Sequence, residues 1–455
     1  MKAYVVSLGC PKNQVDTEQF IGYLLKNNFE LVKDYEKADL YIINTCSFIY
    51  PAKKEAIEEI LKAIELKKKY KFFLGVLGCF YRRYKKNLIS NFPEVDFFID
   101  TANPSLDKTD IYYRFGKYSE NISKFLKILW ILKNFTKRKA VKYQIFLNYP
   151  VGYLKISDGC SNRCSYCSIP LIKGNFVFYD LSYIKNSLKK MKESNIKEVY
   201  ICAQDTTAHP NLFKILELVA EFNFPRKKVL YLYPSKIKAE LLKLLKELNF
   251  DPYLEIPLQH VNFRILKLMG RFYTKKDIYK LFDKIEKYFP ESHIRSTFIL
   301  GHFGETKKSL EELKNFLSTY KLTWVGFFPY YKEEGTKSFL YPDLLSPKIK
   351  HKIVEEFYEF QSYITQNILE KYINKREEVI IDFEIKDNYI KSDLASYFKD
   401  SNFKEFYLYQ GRLPFEAFSL DGVVYVFSKV KLQVGSLIKV NLEKFLPPYD
   451  FVCIV

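Results

Sequence analysis

Long apolar runs are missing from this sequence. Residues 72–81 are among the longest, far short of the roughly 20 residues a membrane span needs. A membrane-spanning helix is therefore not expected. The sequence reaches Gly9-Cys10-Pro11 almost at once, so no secretory h-region is read. Internal repeats and low-complexity tracts are absent as well, which sets aside a solenoid. These absences predict a cytoplasmic protein. There thiols stay reduced, and clustered cysteines mean metal or catalysis more often than disulfides. What is present is a chain of 455 residues, 48% hydrophobic, enough for two to four domains and a large core.

The charge is unbalanced. Lysine and arginine number 72 against 53 acidic residues, a formal net charge of +19. Residues 1–105 carry 16 basic and 13 acidic side chains, and residues 376–455 carry 10 and 12, so the excess sits in the middle. It is visible in Lys124, Lys127, Lys133, Lys137, Arg138, Lys139 and Lys142. Such an excess fits attraction to an RNA-containing partner. It equally fits lysines that only solvate helix faces, because acidic residues are interspersed in most places.

Residues 3–8, 39–45 and 72–77 read as strands, with helical periodicity in 15–27 and 52–69 between them. This β-α-β-α-β pattern favours a parallel sheet with right-handed crossovers. Ligands bind beyond the carboxyl ends of such strands. Residues 104–148 lack a clear strand pattern and read as a linker with one helix, 125–135, and a basic stretch, 137–142. From Val151 the alternation resumes, with strands at 153–157, 198–203, 228–233, 253–256, 294–300 and 324–329. Helices at 181–194, 212–222, 237–248 and 275–288 lie between them. Residues 347–371 read as a helix leading out, and short alternating segments such as 379–384 and 423–427 follow. The predicted architecture is α/β. It comprises an N-terminal flavodoxin-like parallel sheet in 1–103, the linker 104–148, a central partial (β/α)6 TIM-type barrel in 149–373 and a small antiparallel β-barrel in 374–455.

Six of the eight cysteines fall into two trios. Cys160, Cys164 and Cys167 form C-x3-C-x2-C just after the first barrel strand, where barrel chemistry is expected. Three thiolates on a four-iron cluster leave one iron open to bind and activate a small molecule. The alternative is zinc, but structural zinc takes four ligands, and no fourth Cys or His lies near this motif. Cys10, Cys46 and Cys79 each follow one of the N-terminal strands, so the fold can bring them together although about 35 residues separate each from the next. Their alternative is three separate buried core thiols. Cys202, inside an apolar strand, and Cys453, near the end of the tail, read as structural.

The C-x3-C-x2-C motif with Tyr166 before its third cysteine resembles that of the radical S-adenosylmethionine enzymes. The resemblance implies that the open iron is chelated by the amino and carboxylate groups of that cofactor. One electron then cleaves it to methionine and a 5′-deoxyadenosyl radical, and Tyr166 lies beside the adenine. Residues 7–18, Asn44-Thr45-Cys46-Ser47-Phe48 and Gly78-Cys79 resemble the methylthiotransferases, in which the N-terminal trio holds an auxiliary cluster that delivers sulfur. Five segments resemble the RimO branch of that family, which modifies an aspartate of a small-subunit ribosomal protein. They are Leu8-Gly9-Cys10-Pro11-Lys12-Asn13, Ser157-Asp158-Gly159-Cys160, Ala203-Gln204-Asp205-Thr206-Thr207, Tyr231-Leu232-Tyr233-Pro234 and Glu333-Glu334-Gly335-Thr336. Ile256-Pro257-Leu258-Gln259-His260 and Gly304-Glu305-Thr306 are shared more widely, including with tRNA-modifying branches.

By the same resemblance Gln204 and Asp205 contact the cofactor's methionyl amino group; for Asp205 a helix N-cap is the alternative. Gly301 and Gly304 allow close backbone approach to the cofactor or form a plain turn. His260 contacts the cofactor or is a structural histidine. The sequence departs from the family at Lys173, where arginine is common, along Asn175-Phe176-Val177-Phe178-Tyr179, where further arginines are expected, and at His302 and Phe303, where an aromatic and a proline are usual. The tail resembles the TRAM module, with Gly411-Arg412, Asp421-Gly422 and Gly435 as markers. In tRNA-acting members that module grips RNA. A tail with more acidic than basic residues suits a basic protein target better.

The resemblance thus implies methylthio transfer to the β-carbon of a ribosomal-protein aspartate, using two 4Fe-4S clusters and S-adenosylmethionine. The partners would be that protein, alone or within the assembled subunit, a reductant and a sulfur donor. The alternatives are a tRNA adenosine methylthiotransferase and a non-catalytic iron–sulfur or RNA-binding protein.

Overall fold

The computed structural model describes residues 1–101, 110–115, 121–135, 144–398 and 403–455. The basic stretch 137–142 lies outside them. Three six-stranded sheets follow one another along the chain.

The first sheet is built from β1 (Lys2–Ser7), β2 (Glu30–Leu31), β3 (Leu40–Thr45), β4 (Phe73–Gly78), β5 (Phe97–Asp100) and β6 (Asp110–Tyr113), in the order β2-β1-β3-β4-β5-β6. All neighbours are parallel except β5 and β6. β3 is buried on both faces, as a parallel strand between two helical layers must be. Leu40 and Ile42 pack with Phe20 and Leu24 of α1 (Pro11–Lys26), while Tyr41 and Ile43 pack with Ile60 and Ala63 of α2 (Tyr50–Tyr70) and Leu88 of α3 (Cys79–Asn91). The stretch expected to be a linker contributes β6 and α4 (Ile122–Lys133) to this unit. Phe125, Ile128 and Leu132 of α4 complete the core on the α1 side. β6 shows no alternation because it is a four-residue edge strand whose side chains are mostly exposed.

The second sheet holds β7 (Val151–Lys155), β10 (Glu198–Cys202), β11 (Arg226–Val229), β12 (Tyr253–Glu255), β13 (His293–Leu300) and β14 (Trp324–Pro329), all parallel and neighbours in chain order. A separate clip pairs β8 (Ser157–Asp158) with β9 (Val177–Phe178) and brackets the C-x3-C-x2-C loop. β11 starts and ends earlier than the apolar pattern suggests. Its charges are buried in pairs: Lys228 bonds Glu198 and, at 2.7 Å, Asp251. The helix α12 (Pro347–Leu369) leads out of this sheet.

The third sheet contains β15 (Arg376–Ile385), β16 (Tyr407–Arg412), β17 (Val424–Ser428), β18 (Leu437–Asn441), β19 (Lys444–Leu446) and β20 (Asp450–Ile454). It curls, with a bulge between Ile381 and Phe383. The expectation of a wholly antiparallel tail is corrected by β17 and β20, which run parallel. The tail seats against the second sheet. Arg412 bonds Glu198 at 2.5 Å and Tyr200 at 2.7 Å, and Asp421 pairs with Arg295. A Cβ on Gly435 would lie 2.7 Å from the Tyr149 hydroxyl. Inward side chains of the strands, Tyr153, Tyr200 and Tyr253, share a core with tail residues Val379, Ile381 and Tyr409 and with Val15 of α1. No described helix is long and apolar enough to cross a membrane.

Candidate active site

The N-terminal trio stands where three parallel strands end. Cys10 precedes α1, Cys46 follows β3, and Cys79 is the first residue of α3, directly after β4. Two glycines let these loops close on one another. Gly9 has φ +93°, and a Cβ there would lie 2.7 Å from the Cys46 Cβ. Gly78 has φ +97°, and a Cβ there would lie 2.2 Å from the Asn44 Oδ1. Amides tie the same loops: Asn13 Nδ2 donates to the Leu8 carbonyl at 2.6 Å, and Asn44 Nδ2 donates to the Asn13 carbonyl at 3.0 Å. These contacts draw the loops that carry Cys10, Cys46 and Cys79 against one another.

The thiols feel one another. Burial pushes Cys46 up to about 12, with Cys79 and Cys10 adding to the rise. Burial pushes Cys79 up to about 11, opposed by the nearby Lys173 ammonium and reinforced by Cys10. Two buried thiols with raised pKa values, lying beside a third, do not ionise readily without a cationic group among them.

The second trio lies in the loop bracketed by β8 and β9. Burial pushes Cys160 up to about 11, and it raises Cys167 as well, with Cys164 adding to both. The Cys160 N–H donates to the Gly174 carbonyl at 3.0 Å, and the Cys167 N–H donates to the Cys164 carbonyl at 3.1 Å. Among the described residues no three Cys, His, Asp or Glu side chains are drawn tightly enough around one point to share a single ion. The zinc alternative thus has no preformed shell. A four-iron cluster, whose ligands bind separate irons, does not require one. Both donor sets fit such a group.

The two trios are joined. The Ser168 hydroxyl, one residue after Cys167, donates to the carbonyl of Phe48, two residues after Cys46, at 2.9 Å. Arg83 donates to the Ser47 carbonyl and to Glu333, each at 2.8 Å, and Lys53 reaches Glu333 at 2.8 Å. The Ser338 N–H closes this strap by donating to the Ser165 carbonyl at 2.8 Å. Beneath, four charges alternate. Lys155 bonds Asp16 at 2.6 Å and Asp158 at 2.9 Å, and Lys173 bonds Asp16 at 3.0 Å and Asp158 at 3.5 Å. Lys173, where arginine was expected, still supplies a cation to both carboxylates.

Other expected site residues distribute around the second loop. Tyr166 accepts a hydrogen bond from Arg271 at 3.3 Å, and burial raises its phenol well above the ordinary value. Gln204 lies just beyond β10 with its Oε1 buried and, among the described residues, unpartnered, an acceptor placed to meet an ammonium group. Asp205 makes no cap bond to the one-turn helix after it. Its carboxylate instead takes Asn162 at 2.7 Å and Lys236 at 2.6 Å, and so ties the strand end to the cysteine loop. Gly301 and Gly304 sit in a turn. Their missing Cβ atoms would meet the Lys350 and Leu268 side chains at 2.7 and 2.6 Å. His260 Nδ1 accepts from the Val261 and Asn262 N–H groups at 2.9 Å each. Cys202 and Cys453 are buried in strands.

Arg271 escaped the sequence reading. It is buried, and besides Tyr166 it holds Tyr273 at 2.6 Å and the Pro257 carbonyl at 2.8 Å, with Cys164 Sγ 3.9 Å away. No spacing announces it, because Cys164 and Tyr166 lie more than a hundred residues upstream. A cavity of about 180 Å³ lies elsewhere, between β13, β14, α12 and the tail, and is lined by no residue of either cysteine loop.

Residues 2–100 match the model of the uncharacterized protein family UPF0004, and residues 154–317 match the radical SAM superfamily. In fold the chain is similar to the radical S-adenosylmethionine methyltransferase TsrM from Kitasatospora setae, with TM-score 0.52 at 12% identity, covering 85% of this chain and 81% of that one. Two proteins named ribosomal protein uS12 methylthiotransferase RimO are similar over nearly their whole length. The one from Sulfurihydrogenibium sp. (strain YO3AOP1) is 34% identical, covering 99% of this chain and 98% of that protein. The one from Aquifex aeolicus is 33% identical, covering 99% and 96%. With both cysteine loops in place and a likeness that runs from end to end, this chain belongs to the RimO family of radical S-adenosylmethionine methylthiotransferases.

Proposed function

We propose that this enzyme transfers a methylthio group to the β-carbon of an aspartate in the small-subunit ribosomal protein uS12. The observation that carries the reading is the Ser168–Phe48 hydrogen bond, which binds the loop of one cysteine trio to the loop of the other. A radical made at one loop and sulfur presented at the other must meet at one substrate atom, and that bond keeps the loops adjacent.

The roles divide as follows. Cys160, Cys164 and Cys167 hold the 4Fe-4S cluster of the superfamily, and Cys10, Cys46 and Cys79 hold a second one. With S-adenosylmethionine bound, the first cluster supplies a radical able to take hydrogen from an unactivated carbon. Gln204 offers its free carbonyl oxygen to the cofactor's ammonium, and Tyr166, steadied by Arg271, lines the adenine side. Gly301 and Gly304 shape the turn beside it. Asp205 fixes the cysteine loop through Asn162 and Lys236. The Arg83–Glu333–Lys53 strap closes the two loops against water.

The finer architecture follows the same reading. The strand order β2-β1-β3-β4-β5 supports a flavodoxin-like N-terminal unit. Six parallel strands in chain order support a partial TIM-type barrel, and the curled tail supports a small β-barrel. Divisions near residues 148 and 373, a cytoplasmic location, and dependence on an external reductant and sulfur donor complete the proposal.

Mass spectrometry of uS12 and of tRNA from a strain lacking this gene tests it. The expected result is loss of the methylthio group from a uS12 aspartate with tRNA unchanged. Loss of a methylthio adenosine with uS12 unchanged would contradict it.

A further inference from the structure

Lys12 is 8% exposed, yet among the described residues its ammonium makes neither a hydrogen bond nor an ion pair. Several other buried cations have anionic partners: Lys67 has Asp96 at 2.5 Å, Lys155 and Lys173 have Asp16 and Asp158, and Arg412 has Glu198 and Asp382. Burying a charge without a partner is costly. What holds Lys12 is a ring face. Its Nζ lies 3.2 Å from the centroid of Tyr231. A cation on a ring face still has N–H donors directed away from the ring and free for an anion.

Tyr231 is itself held in an unusual conformation. Its φ is 60°, a left-handed backbone that a bulky aromatic rarely adopts. Its carbonyl accepts from the Thr206 N–H at 3.1 Å, and its N–H donates to Glu255 Oε2 at 3.3 Å. The ring that seats Lys12 is therefore tied to the segment carrying Gln204 and Asp205. Lys12 stands two residues after Cys10, and its charge is felt at Cys202 and Glu255 inside the second sheet. The ammonium thus sits between the N-terminal cysteine loop and the strand end assigned to the cofactor. Glu255 lies within its field but forms no ion pair with it among the described contacts.

We propose that the Lys12 ammonium receives the carboxylate of the substrate side chain, and so selects an acidic residue over a neutral one. The inference rests on the protein-substrate reading above. It also gives a physical reason why Lys12 and Tyr231, from two motifs far apart in sequence, meet. One supplies the charge and the other the seat that leaves its donors free.

The test uses the full-length reconstituted protein and purified uS12. The uS12 is taken either with its modified aspartate or with that residue changed to asparagine, and binding is measured by fluorescence anisotropy. The parent is expected to bind the aspartate form at least about tenfold more tightly than the asparagine form. Lys12→Met is expected to bind both forms equally, at the parent's affinity for the asparagine form and with unchanged iron content, and Lys12→Arg to restore part of the preference. A Lys12→Met protein that keeps the preference overturns the inference. So does one that loses iron and binds both forms equally weakly, below the parent's affinity for the asparagine form, which marks a structural role. If the parent methylthiolates uS12 yet binds both forms alike, the inference falls alone. If the parent leaves uS12 unmodified, the substrate reading falls first and takes the inference with it.

Discussion

Glu18 carries a proton that most glutamates would have lost. Burial pushes its carboxyl from 4.5 up to about 7, only partly offset by hydrogen bonds from Gln14, the Leu147 N–H and Gln144. The folded state then binds more protons than the unfolded chain between those two values. Stability contributed by Glu18 is full below about 4.5, declines as pH rises to about 7, and is flat beyond. In Glu18→Gln that decline is removed. Urea unfolding of variant and parent across this range should give a difference that shifts in the variant's favour by about 3 kcal/mol as pH rises and then levels. Parallel stability curves would contradict it. The same scale shows what a sequence conceals. The six cysteines proposed as ligands stood out in the sequence, Cys160, Cys164 and Cys167 by their spacing and Cys10, Cys46 and Cys79 by the motifs around them. Arg271 did not, because nothing near it in the chain distinguishes it from a surface arginine. Only folding carries it to Cys164 and Tyr166.

Elements were legible where burial imposes a period. β3, β7 and β10 are buried throughout and read as apolar runs, and α10 (Lys275–Tyr288) matches its expected bounds. β11 was misplaced because Arg226, Lys227 and Lys228 are charged yet buried, with Lys228 neutralised by Glu198 and Asp251 from elsewhere in the fold. β6 escaped because an exposed edge strand has no buried face to set a pattern. The strap after β14 was legible only as a motif, and its role is tertiary: Glu333 takes Lys53 from α2 and Arg83 from α3. Glu333→Gln leaves two poorly exposed cations facing a neutral amide, a loss of about 3 kcal/mol. Hydrogen exchange at the Ser338 amide should then accelerate by roughly a hundredfold, since its bond to Ser165 depends on that strap. Unchanged exchange there would mean that the loops are held without it.

At the scale of the whole molecule, the three sheets are joined by buried charge as well as by apolar packing. Arg412 and Asp421, which marked the tail in the sequence, face the second sheet through Glu198 and Arg295 rather than solvent. A marker turned inward holds the tail in place and is not free to grip a partner. Between the first and second sheets, the Asp16–Lys155–Asp158–Lys173 quartet and the Ser168–Phe48 bond bring two cysteine trios onto adjoining loops. Iron and sulfide quantification on anaerobically reconstituted protein probes that arrangement most directly. The parent should carry about eight irons per chain, and C10A/C46A/C79A and C160A/C164A/C167A about four each. A parent with about four irons, unchanged in C10A/C46A/C79A, would contradict the account.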